Sequence, residues 1–496
     1  MAVLLPHYVL PLAGYVGSVD TWPLVHSAEK LARSPWLHIL GKGFNDYDNH
    51  WPMLILLDLE ASVVTGASPL IAHFYVVYGV LVVGFLLSYR VLLGRSHRGW
   101  LVAGAAAAMP VVFLFASSPL KELYFYPLGY LVAWLVTRDW WRPALFLLLP
   151  AVLSHPVTPI VLGLVLLVYA LLSSMARWLA PWHGLPPRSR GASFVAVVLL
   201  SFTLIWGLLN KSVVTRLAPY IGLGDVVAYL LYVSAPLILV AMWYAKPPGK
   251  TGRGTRLAVL IAAFALYALL VPRLANVSDP VALLFIILYT LPFLVAALVA
   301  SLGEGSLDPV SVLGHAAIIV SGTNILYTLF YLRLIGLGHR FAEHLAQALP
   351  LLGGRAKGKL QAVLLVTSIL SSIVAVAAIA ATGSYPLDPS WLYRPGELAG
   401  LKVLAGLEIP APLYGGAKVA YYLQVIHNAS LIYPLEAITS GQLAPRHSLV
   451  VIIADNLVHG MRVHGVTVPP RIIRESASRG SLVLCSGRVG AYWLGG

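Results

Sequence analysis

Residues 360–382 contain no charged side chain. A helix needs roughly 20 apolar residues to cross the hydrocarbon of a bilayer, so this stretch is long enough to span one. Eleven further segments are predominantly apolar: 69–93, 100–116, 121–137, 142–155, 157–176, 192–210, 225–245, 256–272, 280–301, 309–332 and 340–353. Two of them, 142–155 and 340–353, are short, and we expect them to be tilted, re-entrant or shielded by neighbours. Residues 1–17 form another short apolar segment, broken by Pro6 and Pro11. It reads as a first span or the remnant of one. No small-residue cleavage site follows it, so we expect the apolar segments to be retained.

Composition points the same way. Hydrophobic residues make up 59% of the chain and charged residues 10%. Soluble domains carry roughly 25% charged residues, which excludes a soluble enzyme or a nucleic-acid-binding protein. The net charge of +14 then reads as basic anchoring of inner loops rather than as a polyanion site. The single cysteine, Cys485, excludes an internal disulfide, a CxxC redox pair and a cysteine zinc site. Loops at 88–99, 137–142, 177–190, 246–256, 301–308 and 354–359 hold 15 Lys and Arg, and the alternate short loops hold six. That bias places the first set in the cytoplasm, provided 340–353 crosses.

The expected fold is therefore an all-α polytopic membrane protein of about 12–13 transmembrane helices with a small C-terminal extracytoplasmic α/β domain. The expected division is 1–17 as an N-terminal membrane segment, 18–68 as a first outer loop with amphipathic helices, 69–382 as the bundle, and 383–496 as the outer domain. The location is the plasma membrane, multi-pass. In the last piece we expect helices over 396–407 and 417–424, a buried strand from Ser448, and a terminal hairpin turning at Ser486-Gly487-Arg488. The sequons at Asn210, Asn276 and Asn428 all fall on the outer side.

The acidic residues are unevenly placed. Six lie in the first outer loop and six in 383–496, while Glu343 alone lies well inside one of the spans after that loop. Ion-coupled transport usually needs ionisable groups near the midplane. Carboxylates gathered at the outer boundary suit surface chemistry better. Asp20 precedes an amphipathic stretch with Leu24, Ala28, Leu31 and Ala32 on one side. It reads either as a helix N-cap or as a catalytic carboxylate, and a capped aspartate is compatible with both. Asp46 and Asp48 form an Asp-Tyr-Asp pair. Such a pair suits a divalent cation, a shared proton, or simply a polar turn.

The remaining candidates are cations and their partners. Lys121 and Glu122 stand among apolar residues. They are either interfacial anchors or a phosphate contact with an orienting carboxylate. His155, in the tight turn Ser154-His-Pro-Val-Thr-Pro, is a satisfied buried histidine or a donor to a phosphate or sugar. Arg333 and Arg340 run against the charge bias. They either snorkel to headgroups or bind phosphate in the bidentate way arginine favours.

This pattern resembles the GT-C class of integral-membrane glycosyltransferases, which use a polyprenyl-phosphate-linked sugar as donor. The resemblance rests on Asp20 in a long first outer loop, on Asp46-Tyr-Asp48, and on the Ser154-to-Pro159 turn. It extends to Arg340-Phe-Ala-Glu-His-Leu-Ala and to Pro395-Gly-Glu-Leu-Ala-Gly-Leu-Lys in the outer domain. It implies that Asp20 is the base, and that Asp46 and Asp48 position the acceptor or a metal, Mg²⁺ or Mn²⁺. It also implies that Lys121, His155, Arg333 and Arg340 bind the lipid phosphate, with Glu122 beside them. The implied partners are the polyprenyl-phosphate-linked donor, a glycan, lipid or protein acceptor, and membrane lipids, with no nucleic acid. The Trp-Trp-Asp-Tyr-Gly signature of oligosaccharyltransferases is absent, and Asp139-Trp-Trp lies on the inner side. Single-sugar transfer is thus expected rather than block transfer. Two other readings use the same outer cations: a transporter or flippase of lipid-linked glycans, and a non-catalytic scaffold.

Overall fold

Hydrocarbon offers no partner to a backbone N–H or C=O, so a chain inside it must close its own hydrogen bonds as a helix. The computed structural model describes residues 3, 5–18, 20–34, 48–94, 99–110, 112, 120–179, 190–210, 222–244, 280–302, 308–328, 335–353, 356–382, 392–407, 411–427, 431–432, 434, 441–463 and 466–495. Its helices are α1 (Leu5–Leu12), α2 (Thr21–Arg33), α3 (Met53–Thr65), α4 (Pro69–Leu92, with a π-helical turn over Ala72–Val77) and α5 (Gly99–Ala108). There follow α6 (Lys121–Thr137), α7 (Trp141–Phe146), α8 (Leu148–Val152), α9 (Thr158–Leu179), α10 (Arg190–Leu209) and α11 (Leu223–Tyr244). The bundle closes with α12 (Pro280–Leu302), α13 (Pro309–Leu326), α14 (Ile335–Gly353) and α15 (Gly358–Thr382).

Among the described residues six helices are long and apolar enough to cross a membrane: α4, α9, α10, α11, α13 and α15. This is a membrane protein. Leu230, Leu231 and Leu239 of α11 and Phe202, Ile205 and Leu208 of α10 are exposed. In water they would form a large apolar patch. Lipid tails cover them at no cost.

Between helices, small residues allow close approach. Every described residue of α5 from Val102 to Ala108 is buried, and α5 packs against α15. Lipid is as apolar as leucine, so such contacts hold by packing rather than by water exclusion. Gly163 of α9 is one such case: a Cβ there would sit 2.6 Å from Leu200 of α10.

The segment 142–155 is not one continuous helix. It divides into α7 and α8, separated at Leu147. Pro150 has no N–H to return to the Phe146 carbonyl, so the first helix ends and a second begins. The segment 256–272 lies outside the described residues.

The C-terminal part holds a five-stranded mixed sheet. Its strands are β3 (Leu413–Gly415), β4 (Leu431–Ile432), β5 (Ser448–Ile453), β8 (Ser481–Ser486) and β9 (Val489–Leu494), in the order β4-β3-β5-β9-β8, while β6 (Met461–Val463) and β7 (Val466–Val468) form a separate antiparallel pair. β5 is buried throughout. Leu449, Val451 and Ile453 join one core and Val450 and Ile452 another, as period-2 alternation requires. Helix α16 (Pro395–Ala405) and the helical segment 417–426, whose second part is a π-helical turn, carry the residues of the first core. The expected hairpin is β8–β9, and its Gly487 has φ +60°. A Cβ on Gly487 would also lie 2.4 Å from the Gly396 carbonyl, so glycine is required there twice over.

Two short strands, β1 (Val16–Gly17) and β2 (Leu392–Tyr393), pair antiparallel and tie the end of the N-terminal segment, just before the first loop, to the C-terminal part. Helix α2 lies between α3 and the turn Tyr421–Ile426. Leu24 and Ala28 are fully buried, while Ala32 is exposed. The apolar side of α2 is thus covered by protein at Leu24 and Ala28.

Two outcomes follow from this packing. Gly163→Val should destabilise the bundle by about 1–3 kcal/mol through overpacking, read as a lowered thermal midpoint in detergent. Half-buried His26 on α2 has its imidazole held below 6.5, first by burial and then by Lys30 and Arg33. The unfolded chain therefore takes up this proton first. The contribution is present above pH 6.5 and is lost as pH falls through the lower folded value. The thermal midpoint should fall with acidification over that window, and His26→Gln should flatten the slope.

Candidate functional site

The start of α6 and the turn before α9 meet at one end of the bundle. His155 organises this meeting. Its Nδ1 accepts the backbone N–H groups of Val157 at 3.2 Å and Thr158 at 3.0 Å. These are orphan donors at a helix start, so the side chain acts as a cap for α9. A nitrogen that accepts carries no proton. The proton is therefore on Nε2, which donates to Glu122 Oε1 at 3.0 Å. Both side chains are largely buried. The imidazole thus fixes a carboxylate in place and has its own tautomer fixed by the backbone.

Lys121 precedes Glu122 as the first residue of α6. A cation at a helix N-terminus opposes the dipole, and burial adds a desolvation cost. Lys121 is nonetheless only 7% exposed. Its ammonium lies 5.2 Å from the ring centroid of Trp51, within cation–π range. Trp51 is itself buried and meets the His50 ring edge to face at 5.7 Å. The His50 carbonyl accepts from Trp206 Nε1 of α10 at 2.9 Å. The first loop, α6 and α10 are in this way locked around one buried lysine.

Next to this cluster lies a cleft of ≈ 580 Å³, open space at its mouth included, between α6, α9, α13 and α14. Most of its lining is aliphatic or aromatic, with Tyr126, Tyr130, Thr158, Ser321, His344 and Gln347 as the polar members. The His344 ring meets Tyr126 edge to face at 5.7 Å. Thr158, whose backbone N–H His155 accepts, lines the cleft, so the cleft begins beside the His155–Glu122 pair. Tyr130 donates to Gln347 Oε1, and Tyr89 donates to the Gln347 carbonyl at 2.6 Å.

The other expected site residues are distributed as follows. Asp20 precedes α2 at the cap position, but its side chain makes no cap hydrogen bond. Its backbone is helical, with φ −70° and ψ −11°, whereas a capping side chain needs an extended residue. The N-cap reading of Asp20 is thereby corrected. Asp20 N–H donates to Ser18 Oγ at 3.1 Å, and Ser18 holds the left-handed φ of +64°. Asp48 opens the 3-10 turn Asp48–His50, next to Trp51, and Arg340 lies in α14 one helical turn before His344. Asp46 and Arg333 lie outside the described residues. Among the described residues no three His, Cys, Asp or Glu side chains converge as a metal site.

Trp51, His344 and Gln347 were not among the expected site residues. A signal existed for the last two. Glu343, His344 and Gln347 are polar residues in an otherwise apolar segment, and His344 and Ala348 follow Arg340 at helical spacing. Trp51 carried no such mark, since only the fold sets it under Lys121.

No family model matches the chain, and no curated protein does. Among solved structures, it is similar to ArnT from Cupriavidus metallidurans bound to undecaprenyl phosphate. The identity is 14%, over 100% of this chain and 97% of that one, with a TM-score of 0.36. The apo state of the same protein gives 14% identity over 96% and 93% of the two chains and a TM-score of 0.36. So distant a likeness assigns no residue a role.

His155→Ala removes a cap and leaves Glu122 without its donor. We expect a loss of about 1–3 kcal/mol, measured by denaturation in detergent. His155→Gln, which keeps a side-chain acceptor and donor, should lose less.

Proposed function

We propose that this protein is a GT-C-type glycosyltransferase that moves a single sugar from a polyprenyl-phosphate donor to an acceptor on the extracytoplasmic face. The observation that carries this reading is a buried cation beside a held carboxylate at the head of an apolar cleft in a membrane bundle. A polyprenyl-phosphate sugar has the matching form: an apolar tail, an anionic phosphate and a polar sugar.

In this reaction Asp20 takes the proton from the acceptor hydroxyl or amide. The freed electron pair forms a bond to the anomeric carbon as the bond from that carbon to the phosphate oxygen breaks. The lipid phosphate leaves with additional negative charge. Lys121, with Arg333 and Arg340, would stabilise that charge, the kind of electrostatic stabilisation that often dominates catalysis. Glu122, held by His155, orients the sugar hydroxyls or the Lys121 ammonium. Asp46 and Asp48 belong to the same proposal as the acceptor-positioning pair, or as ligands of Mg²⁺ or Mn²⁺. No step above depends on that ion. The acceptor is a glycan, lipid or protein, and the C-terminal sheet lies outside the membrane with it.

The test is transfer of radiolabelled sugar from polyprenyl-phosphate donors to membrane lipids and proteins by the purified chain. Loss of the base in Asp20→Asn should lower kcat about 10²- to 10⁴-fold. Lys121→Met should lower kcat/KM about 10²-fold or more, as loss of one transition-state contact does. Equal transfer by wild type and Asp20→Asn would overturn the role of Asp20. Movement of lipid-linked glycan across vesicles without transfer would identify a flippase instead.

A further inference from the structure

The turn that carries Asp20 is held from outside the bundle. Val16 and Gly17 pair with Tyr393 and Leu392 of β2, so the chain enters the turn as part of a two-stranded sheet. Ser18 is fully buried at φ +64°, a conformation that costs a non-glycine residue free energy and persists only where its surroundings enforce it. Thr21 Oγ1 donates to the Gly17 carbonyl at 2.8 Å and closes the turn from the far side. Two residues beyond Asp20, the buried Trp22 ring meets Tyr393 edge to face at 5.8 Å and Tyr422 at 5.0 Å.

Those two tyrosines are themselves fixed. The Tyr393 hydroxyl donates to the Lys418 carbonyl at 2.8 Å, and the Lys418 ammonium lies 5.7 Å from the Tyr393 ring centroid. That ammonium is bound to Glu397 Oε2 at 2.9 Å, with both side chains buried. The same oxygen accepts the Arg394 backbone N–H at 3.1 Å. A buried ion pair adds little net stability over apolar packing, so its value here lies in fixing geometry. Burial first, with the Glu397 and Asp20 charges adding to it, holds the Tyr393 hydroxyl far above its ordinary pKa. Asp20 is therefore in electrostatic reach of this assembly.

We infer that the C-terminal part acts as a clamp that positions Asp20, with Trp22 as the wedge and the Glu397–Lys418 pair as its rigid backing. Trp22, Tyr393, Glu397 and Lys418 are positioning residues for the transfer, and the inference rests on the proposed reading of Asp20 as the base. A base displaced by about 1 Å loses about 10²-fold in rate while the lipid phosphate still binds through its own cations.

Two measurements on the full chain test it. The first is independent of catalysis. In a Cys485→Ser background, Asp20→Cys carries a nitroxide label, and its mobility is read by electron paramagnetic resonance. The clamp predicts an immobilised label, freed by Trp22→Ala or Lys418→Met and kept immobile by Trp22→Phe. A label of equal mobility in all four proteins overturns the inference. The second is kinetic, on variants with Asp20 intact and a wild-type thermal midpoint. Trp22→Ala and Lys418→Met should lower kcat about 10- to 100-fold with donor KM unchanged, and Trp22→Phe should recover most of the loss. A raised donor KM at wild-type kcat, or no kinetic change, overturns it. An immobilised label that Trp22→Ala frees, together with an Asp20→Asn variant at wild-type rate, keeps the clamp and removes only the reading of Asp20 as base.

Discussion

A backbone amide in hydrocarbon has nothing to bond to except its own chain, and the architecture of this protein follows from that. The apolar segments become helices, and charge is driven to their ends. The few polar side chains inside must find one another. Gln347 does so with Tyr89 and Tyr130. Small residues on α5 and at Gly163 bring helices together where no water is available to drive them. Any site for a charged ligand is thus confined to the boundary, where the chain can present ionised groups without the cost of immersing them.

At that boundary burial raises the stakes of each polar contact. His155 shows how one side chain can serve fold and site together. One ring nitrogen caps α9 and the other holds Glu122, so the tautomer, the helix start and the carboxylate orientation are a single arrangement. Lys121 has the opposite character. The helix dipole and burial both act against it, and the face of Trp51 lies within cation–π range of its ammonium. The Asp20 turn shares this economy, because its left-handed Ser18 is sustained by strands and rings that belong to a distant part of the chain.

Much of this was legible in the sequence, for physical reasons that can be named. Span lengths follow from bilayer thickness, and most described helices coincide with the expected segments. The continuous apolar run Leu449–Ile453 marked a buried strand, and Ser486-Gly487-Arg488 marked the hairpin turn. The break at Leu147 was hidden, since apolar content over 142–155 says nothing of where a missing proline N–H will end a helix. The covering of α2 was hidden too. An amphipathic face looks the same in sequence whether lipid or protein lies against it, and here α3 and the turn Tyr421–Ile426 take that place.

The sequence by itself determined that the chain spans a membrane, which loops are basic, and that its carboxylates gather outside the bundle. Those properties depend on composition and period, which are local and additive along the chain. Only the tertiary structure decided that Glu122 faces His155, that Trp51 lies under Lys121, and that Trp22 is wedged between Tyr393 and Tyr422. Trp22 and Tyr422 stand 400 positions apart. No local pattern encodes a contact across that separation, because it exists only once the helices between them have packed.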